Sequence, residues 1–249
     1  HFRMAAMAAR RTGIGCEGII LIQPSDRADF RMRFLNPDGT EVELCGNGAR
    51  CAAAFAHAIG AAGRAMTMET LAGPVDAEIC EQGVKIWMPE PSGRNYDLEI
   101  EVEGQTFAGH ALRLGVPHFV VPVANLGALD VDRIGALLRQ HEIFAPDGVN
   151  VDFVKYGGSS HMCMRTYERG VEAESGACGT GAVAATVAAV ERAGFTLPVR
   201  VTTSTGFELL VDGDWRTRRC TGMTLTGPVQ KVFDGTIDLD LLKPGEDLE

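Results

Sequence analysis

Residues 178–182 read Cys178-Gly179-Thr180-Gly181-Ala182, and residues 45–49 read Cys45-Gly46-Asn47-Gly48-Ala49. Each leads into an Ala-rich stretch, 47–57 (NGARCAAAFAH) and 182–193 (AVAATVAAVERA), made mostly of strong helix formers and ending near glycine. The pattern predicts a cysteine at the N-terminus of each of two helices. Downstream, Gly73, Met88 and Pro91 find approximate counterparts in Gly206, Met223 and Pro228, so the chain reads as two copies of one unit. Such copies commonly pack about a pseudo-twofold axis, which brings equivalent helix starts, and their cysteines, face to face.

Working outward, 19–23 (IILIQ) and 30–35 (FRMRFL) read as strands, the second alternating apolar and basic residues with period two. Asn36-Pro37-Asp38-Gly39 reads as a turn between them and Cys45. Residues 66–88 read as further strands, separated at Gly73 and Gly83, and the breakers from Pro89 to Asn95 place a domain boundary near residue 93. That gives a first domain, 1–93, carrying Cys45 and a second, 94–249, carrying Cys178, with the last residues free to return to the first. Apolar runs at 119–123 and 149–154, a short helix around 131–140 and a strand at 162–167 complete the reading. The expected fold is α+β: two similar α/β domains related by a pseudo-twofold, with the active site in an interdomain cleft that closes to exclude water.

Composition narrows the function. The 249 residues are 45% apolar, enough for one large core or two of about 100–150 residues each. A formal net charge of −10 opposes nucleic acid and anionic membrane surfaces as partners. No run approaches the roughly 20 apolar residues of a membrane helix, since 52–62 is short and broken by His57 and Gly60. Seven cysteines, an odd number in a chain of ordinary core size, suit a reducing compartment, here the cytoplasm. The chain opens at His1 without an initiator Met or signal pattern, and Leu248 and Glu249 read as a vector scar, so both ends are expected to be incomplete.

A helix N-terminus concentrates unpaired N–H groups and about half a unit of positive charge, which favours an anion there. A cysteine so placed falls from its usual pKa of about 8.5 toward roughly 3.5–7.5. Gly46, Gly48, Gly179 and Gly181 lack side chains, so a ligand carboxylate can approach both helix starts closely. An α-amino acid held by its carboxylate between them has one sulfur on each face of Cα. One sulfur, as thiolate, removes the Cα proton while the other, as thiol, protonates the opposite face, and N–H donors stabilise the carbanion without a cofactor.

Rival readings fare less well. Zinc calls for closely spaced ligand pairs, whereas Cys45, Cys51 and His57 are each six apart on differing helix faces, so no metal is expected. Gly13 to Gly18 satisfies a dinucleotide fingerprint but precedes a strand; Gly179 to Ala184 opens a helix, yet no strand immediately precedes it and no acidic residue lies about twenty positions on. Cys16, Cys51, Cys80, Cys163 and Cys220, and His57, His110, His141 and His161, are read as packing or surface residues. A thiol redox protein with a reversible Cys45–Cys178 disulfide remains an alternative, though it accounts for neither the glycines nor Asn47, Glu168 and Arg169.

Together these motifs resemble the diaminopimelate epimerase family. Asn36-Pro37-Asp38-Gly39 leads into Glu43-Leu44-Cys45-Gly46-Asn47-Gly48-Ala49-Arg50, followed in the family's order by Pro117-His118, Gly148-Val149-Asn150, Tyr167-Glu168-Arg169-Gly170 and Ala177-Cys178-Gly179-Thr180-Gly181. The similarity runs from about Arg10 to Gly235. It implies that Cys45 and Cys178 are the acid/base pair, that His118 and Glu168 tune their protonation, and that Asn36, Gly46, Asn47, Asn150, Glu168, Arg169, Gly179 and Thr180 bind substrate. It further implies epimerisation of LL-2,6-diaminopimelate to the meso form, for lysine and peptidoglycan synthesis, with no metal or organic cofactor. Two departures stand out. Val116 replaces the Asn of the family's Gly-Asn-Pro-His, which keeps proline, hydroxyproline and histidine open as substrates. The family's opening strand, with its substrate-contacting Asn, has no match before Arg10 and is expected to be missing or disordered. The partner expected is a small amino acid, and a homodimer is left open.

Overall fold

The computed structural model describes residues 2–42 and 44–238, so Glu43 of the first cysteine motif and the terminal Leu248 and Glu249 lie outside the described residues. By its contacts the chain divides into a unit built from the segment up to Val84 and again from Val229, and a second unit, Lys85–Pro228.

The first unit opens with helix α1 (Phe2–Ala8) rather than with a strand. Strands β1 (Ile19–Gln23) and β2 (Phe30–Leu35) pair antiparallel, with Ile19 opposite Leu35. At the end of β2 the Asn36–Gly39 turn closes with a 2.8 Å bond from Gly39 N to Asn36 O, and Gly39 takes φ +83°, a conformation that favours glycine. Strand β3 (Glu41–Val42) returns along β2, and helix α2 (Gly46–Ala58) follows. The next strands are β4 (Ala65–Thr70) and β5 (Gly73–Cys80). Because β4 lies parallel to β2, a crossover must join them, and α2 is that crossover. It buries Ala49, Ala52, Ala53 and Ala56 as one stripe and leaves Phe55 and Ile59 exposed. Strand β6 (Gly83–Trp87) carries the division between the units.

The second unit continues with β7 (Ser92–Val102), β8 (Gln105–Leu114), β9 (Val116–Pro122), helix α3 (Val131–Arg139), β10 (Asn150–Tyr156), β11 (His161–Glu168) and β12 (Ala173–Ser175). Helix α4 (Gly179–Arg192), β13 (Val199–Thr202), β14 (Glu208–Arg216) and β15 (Arg219–Gly227) complete it. Its strands lie in the order β15-β14-β13-β11-β10-β9-β8-β7, with β12 on β11. Alternation along the central strands divides the side chains between two faces. Phe119, Val121, Val151, Phe153 and Tyr167 join Val131, Ile134 and Leu138 of α3 in one core. The opposite face, against which α4 packs, carries Val120, Val154, Met162 and Met164, then turns polar at one end with His118, Asn150, Asp152 and Thr166. Helix α4 is buried on all sides from Gly181 to Val190, which its Ala and Val content permits.

The repeat is visible in the pairing. The run β1-β2-β3-α2-β4-β5-β6 recurs as β10-β11-β12-α4-β13-β14-β15. In both, the first two strands are antiparallel, the short third strand adds to the second, and the helix crosses over to a parallel strand that begins an antiparallel pair. The breaker-rich stretch around residue 93 lies within β7, at the edge of the sheet, where two register shifts and left-handed Gly93 and Asp97 accommodate the residues that made it look like a linker. A short strand, β12, does stand shortly before Gly179, so the case against a dinucleotide site there rests on the missing acidic residue.

Candidate active site

Both cysteines are N-caps. Cys45 has extended backbone angles and its Sγ accepts from Gly48 N at 3.4 Å; Cys178 does the same with Gly181 N, also at 3.4 Å. A side chain that normally would be Ser, Thr, Asp or Asn in this position satisfies one orphan donor of the first turn, and here sulfur takes that part. Within the first unit, Arg50 on α2 is 6% exposed and folds back to the helix start, donating to Gly46 O at 3.4 Å and to Asn47 Oδ1 at 2.8 Å. Burial lowers the affinity of its guanidinium for a proton, and negative charge on Cys51 and Cys45 works the other way. The buried cation and the Cys45 sulfur are thus electrostatically coupled.

Within the second unit, Cys178 is 4% exposed, and burial pushes its thiol well above the ordinary range; Glu168 and then Asp152 add to the rise, against bonds from Thr180 and Gly181. This reverses the reading from the helix terminus alone: around Cys178, burial and two carboxylates outweigh the helix-start N–H groups. A nitrogen of His118, a carboxylate oxygen of Asp152 and the Cys178 sulfur lie within 4.8 Å of one another. His118 Nδ1 is 2.7 Å from Asp152 Oδ2, and Thr166 Oγ1 donates to Asp152 Oδ1 at 2.8 Å. Asp152 was missed by sequence reading, since it stands alone in an apolar strand. Residues 118, 152 and 178 also have the chemistry of metal ligands, a grouping that linear spacing hid; both Asp152 oxygens are already engaged by protein partners.

The chain matches the family described as Diaminopimelate epimerase over residues 2–92 and 110–232. It belongs to that family. A diaminopimelate epimerase from Aquifex aeolicus is 40% identical over 242 residues, covering 95% of this chain and 85% of the relative. That of Chlorobaculum tepidum is 38% identical, covering 96% and 92%. Among solved structures, a hydroxyproline epimerase from Agrobacterium vitis shares the fold at a TM-score of 0.69 and 20% identity, over 91% of this chain and 77% of that one. A phenazine biosynthesis protein of the PhzF family from Bacillus anthracis gives 0.67 at 17%, over 91% and 84%.

The other residues assigned by resemblance to the diaminopimelate epimerase family divide between the units. Asn36 closes the turn after β2, its side chain donating to Thr40 Oγ1 at 3.1 Å. Gly46 and Asn47 form the first turn of α2, and Gly179 and Thr180 that of α4, where Thr180 Oγ1 lies 3.5 Å from the Cys178 sulfur. Asn150 is buried and its Oδ1 accepts from Arg169 N at 2.8 Å, which fixes the chain just beyond Glu168. Val116 opens β9, opposite Leu114. The glycines serve a purpose the sequence did not disclose. A Cβ on Gly48 would stand 2.6 Å from the Phe34 ring, and one on Gly181 would stand 2.3 Å from Asp152 Oδ1, so both positions are vacated for protein atoms. A cavity of about 340 Å³ in the first unit, lined by Met4, Leu21, Arg33, Leu35, Gly39 and Glu41, holds none of the residues assigned to substrate. Of the remaining cysteines, Cys220 is buried and Cys51 exposed on α2.

Proposed function

We propose that this chain interconverts the LL and meso isomers of 2,6-diaminopimelate by moving a Cα proton between Cys45 and Cys178. The observation that carries the proposal is that both cysteines cap helix starts, with the buried cation Arg50 coupled to Cys45 and the buried Asp152 and half-buried Glu168 coupled to Cys178. Two-base inversion requires one thiolate and one thiol, on opposite faces of Cα. Cys45, coupled to a buried cation, serves as the resting thiolate; Cys178, held protonated, serves as the resting acid. As Cys45 takes the Cα proton, Cys178 delivers its own to the other face, leaving a Cys45 thiol and a Cys178 thiolate. The N–H groups of the two first turns bind the substrate carboxylate and offset the charge that develops on it.

The pathway and compartment follow from the same reading: lysine and peptidoglycan precursor synthesis, in the cytoplasm. No helix among the described residues is long and apolar enough to cross a membrane. The test is Cα proton exchange in deuterated water under reducing conditions, with LL-diaminopimelate beside proline, hydroxyproline and histidine. Exchange with meso product supports the proposal. Val116 supports a second reading, because an apolar group stands two residues before His118 where the resemblance places a substrate-contacting amide; exchange confined to another amino acid would move the substrate and keep the chemistry.

A further inference from the structure

His118 and Asp152 are both 0% exposed, on neighbouring strands β9 and β10 below the start of α4. The Asp152 carboxylate is held from three sides: Oδ2 lies 2.7 Å from His118 Nδ1, Oδ1 accepts from Thr166 Oγ1 at 2.8 Å, and the backbone of Gly181 closes over it. An ionised carboxylate only accepts, so in the 2.7 Å contact the proton belongs to Nδ1. His118 Nε2 is buried and has no hydrogen-bond partner among the described residues. A buried ring nitrogen without a partner is costly and calls for an explanation in function.

We propose that Asp152 is a positioning residue of the reaction: it fixes His118 as the Nδ1–H tautomer and holds the ring beside Cys178, so that Nε2 receives the Cys178 proton and returns it. The inference rests on Cys178 being one of the two acid/base groups. In the transfer the S–H bond breaks, its electron pair stays on sulfur, and an N–H bond forms at Nε2; the resulting imidazolium faces the Asp152 carboxylate through Nδ1–H. The return step reverses each change. His118 stands in the same cluster as the reacting thiol, one of its ring nitrogens within 4.8 Å of the Cys178 sulfur, and Asp152 acts through it.

The first readout is the tautomer, taken from ¹⁵N shifts and couplings of the full chain with ¹⁵N-labelled histidine. His118 is expected to carry its proton on Nδ1 in the wild type, and this measurement needs no variant. Asp152→Asn is nearly isosteric; with its carbonyl oxygen kept on Thr166 Oγ1–H it turns its amide N–H toward Nδ1, so the proton should move to Nε2. The same variant should lose on the order of 10²-fold or more in kcat with KM nearly unchanged. In a His118→Asn background Asp152→Asn should cost nothing further, because its effect passes through the ring. A wild-type His118 protonated on Nε2, or losses that multiply in the double variant, would overturn the proposal. If His118 is on Nδ1 and moves in Asp152→Asn, yet no amino acid undergoes exchange, the tautomer assignment stands and the epimerase reading fails.

Discussion

At Cys45 and at Cys178 the chain repeats Cys-Gly-x-Gly-Ala, places the cysteine as N-cap, and gives each sulfur a backbone N–H at 3.4 Å. The surroundings then part ways. Helix α2 returns a buried guanidinium, Arg50, to its own first turn, whereas the corresponding residue of α4 is Val183, and the charges acting on Cys178 are carboxylates, buried Asp152 of β10 and half-buried Glu168 of β11. A cation favours thiolate and an anion favours thiol. The repeated motif thus places two like sulfurs in unlike surroundings, and the proposed single-proton exchange depends on that difference.

The comparison breaks first at the sulfurs. Cys45→Ser and Cys178→Ser should each lower epimerisation by at least about 10³-fold, since a hydroxyl is far too weak an acid to serve as the base, and Cα exchange rates measure the loss. Full activity in both single variants would defeat the two-base proposal. Arg50→Met tests the cation: kcat should fall by about 10-fold to 10²-fold, and peptide-resolved alkylation should find Cys45 slower at neutral pH, with Arg50→Lys retaining part of the rate. Unchanged Cys45 reactivity in Arg50→Met would place the asymmetry elsewhere.

Glu168→Gln tests the anion. The carboxylate raises the Cys178 thiol, so neutralising it should lower the pH at which Cys178 becomes reactive, while the burial contribution persists. Alkylation of the Cys178 peptide across a pH series reads the direction, and a shift toward higher pH would contradict it. The smallest effects concern the glycines. Gly181→Ala drives a methyl against a carboxylate fixed by two hydrogen bonds and should cost about 1–3 kcal/mol in thermal unfolding. Gly48→Ala meets the Phe34 ring, which can swing, and Cys45 Cβ at 3.3 Å, and it regains helix propensity of up to about 1 kcal/mol, so it should cost less. Equal losses would mean that Asp152 is less firmly held than its contacts imply.

What the sequence disclosed was what is local and repeated. The two helix starts, β1, β2 and β10 announced themselves by composition and period, and the duplicated motif singled out two of seven cysteines. The edge hairpin of β7 and β8 did not. Its turn uses Glu103 and Gly104, both at positive φ, without the Asn-Gly or Asp-Gly pair that usually marks such a turn, and Gly93 and Pro91 disguise its entry. Asp152 was hidden for a different reason. Its meaning depends on His118 from a parallel neighbour strand and on the close approach of Gly181, and no sequence window contains all three.

The sulfur caps have a consequence for timing. A charged sulfur accepts from the first-turn N–H more strongly than a neutral one. If the capping atom is also the proton carrier, each half of the catalytic cycle tightens the first turn of one helix and slackens the other. Deuterium uptake at the amides of Gly48 and Gly181 would then run in opposite phase, so that the fraying of two helix ends keeps count of where the proton is.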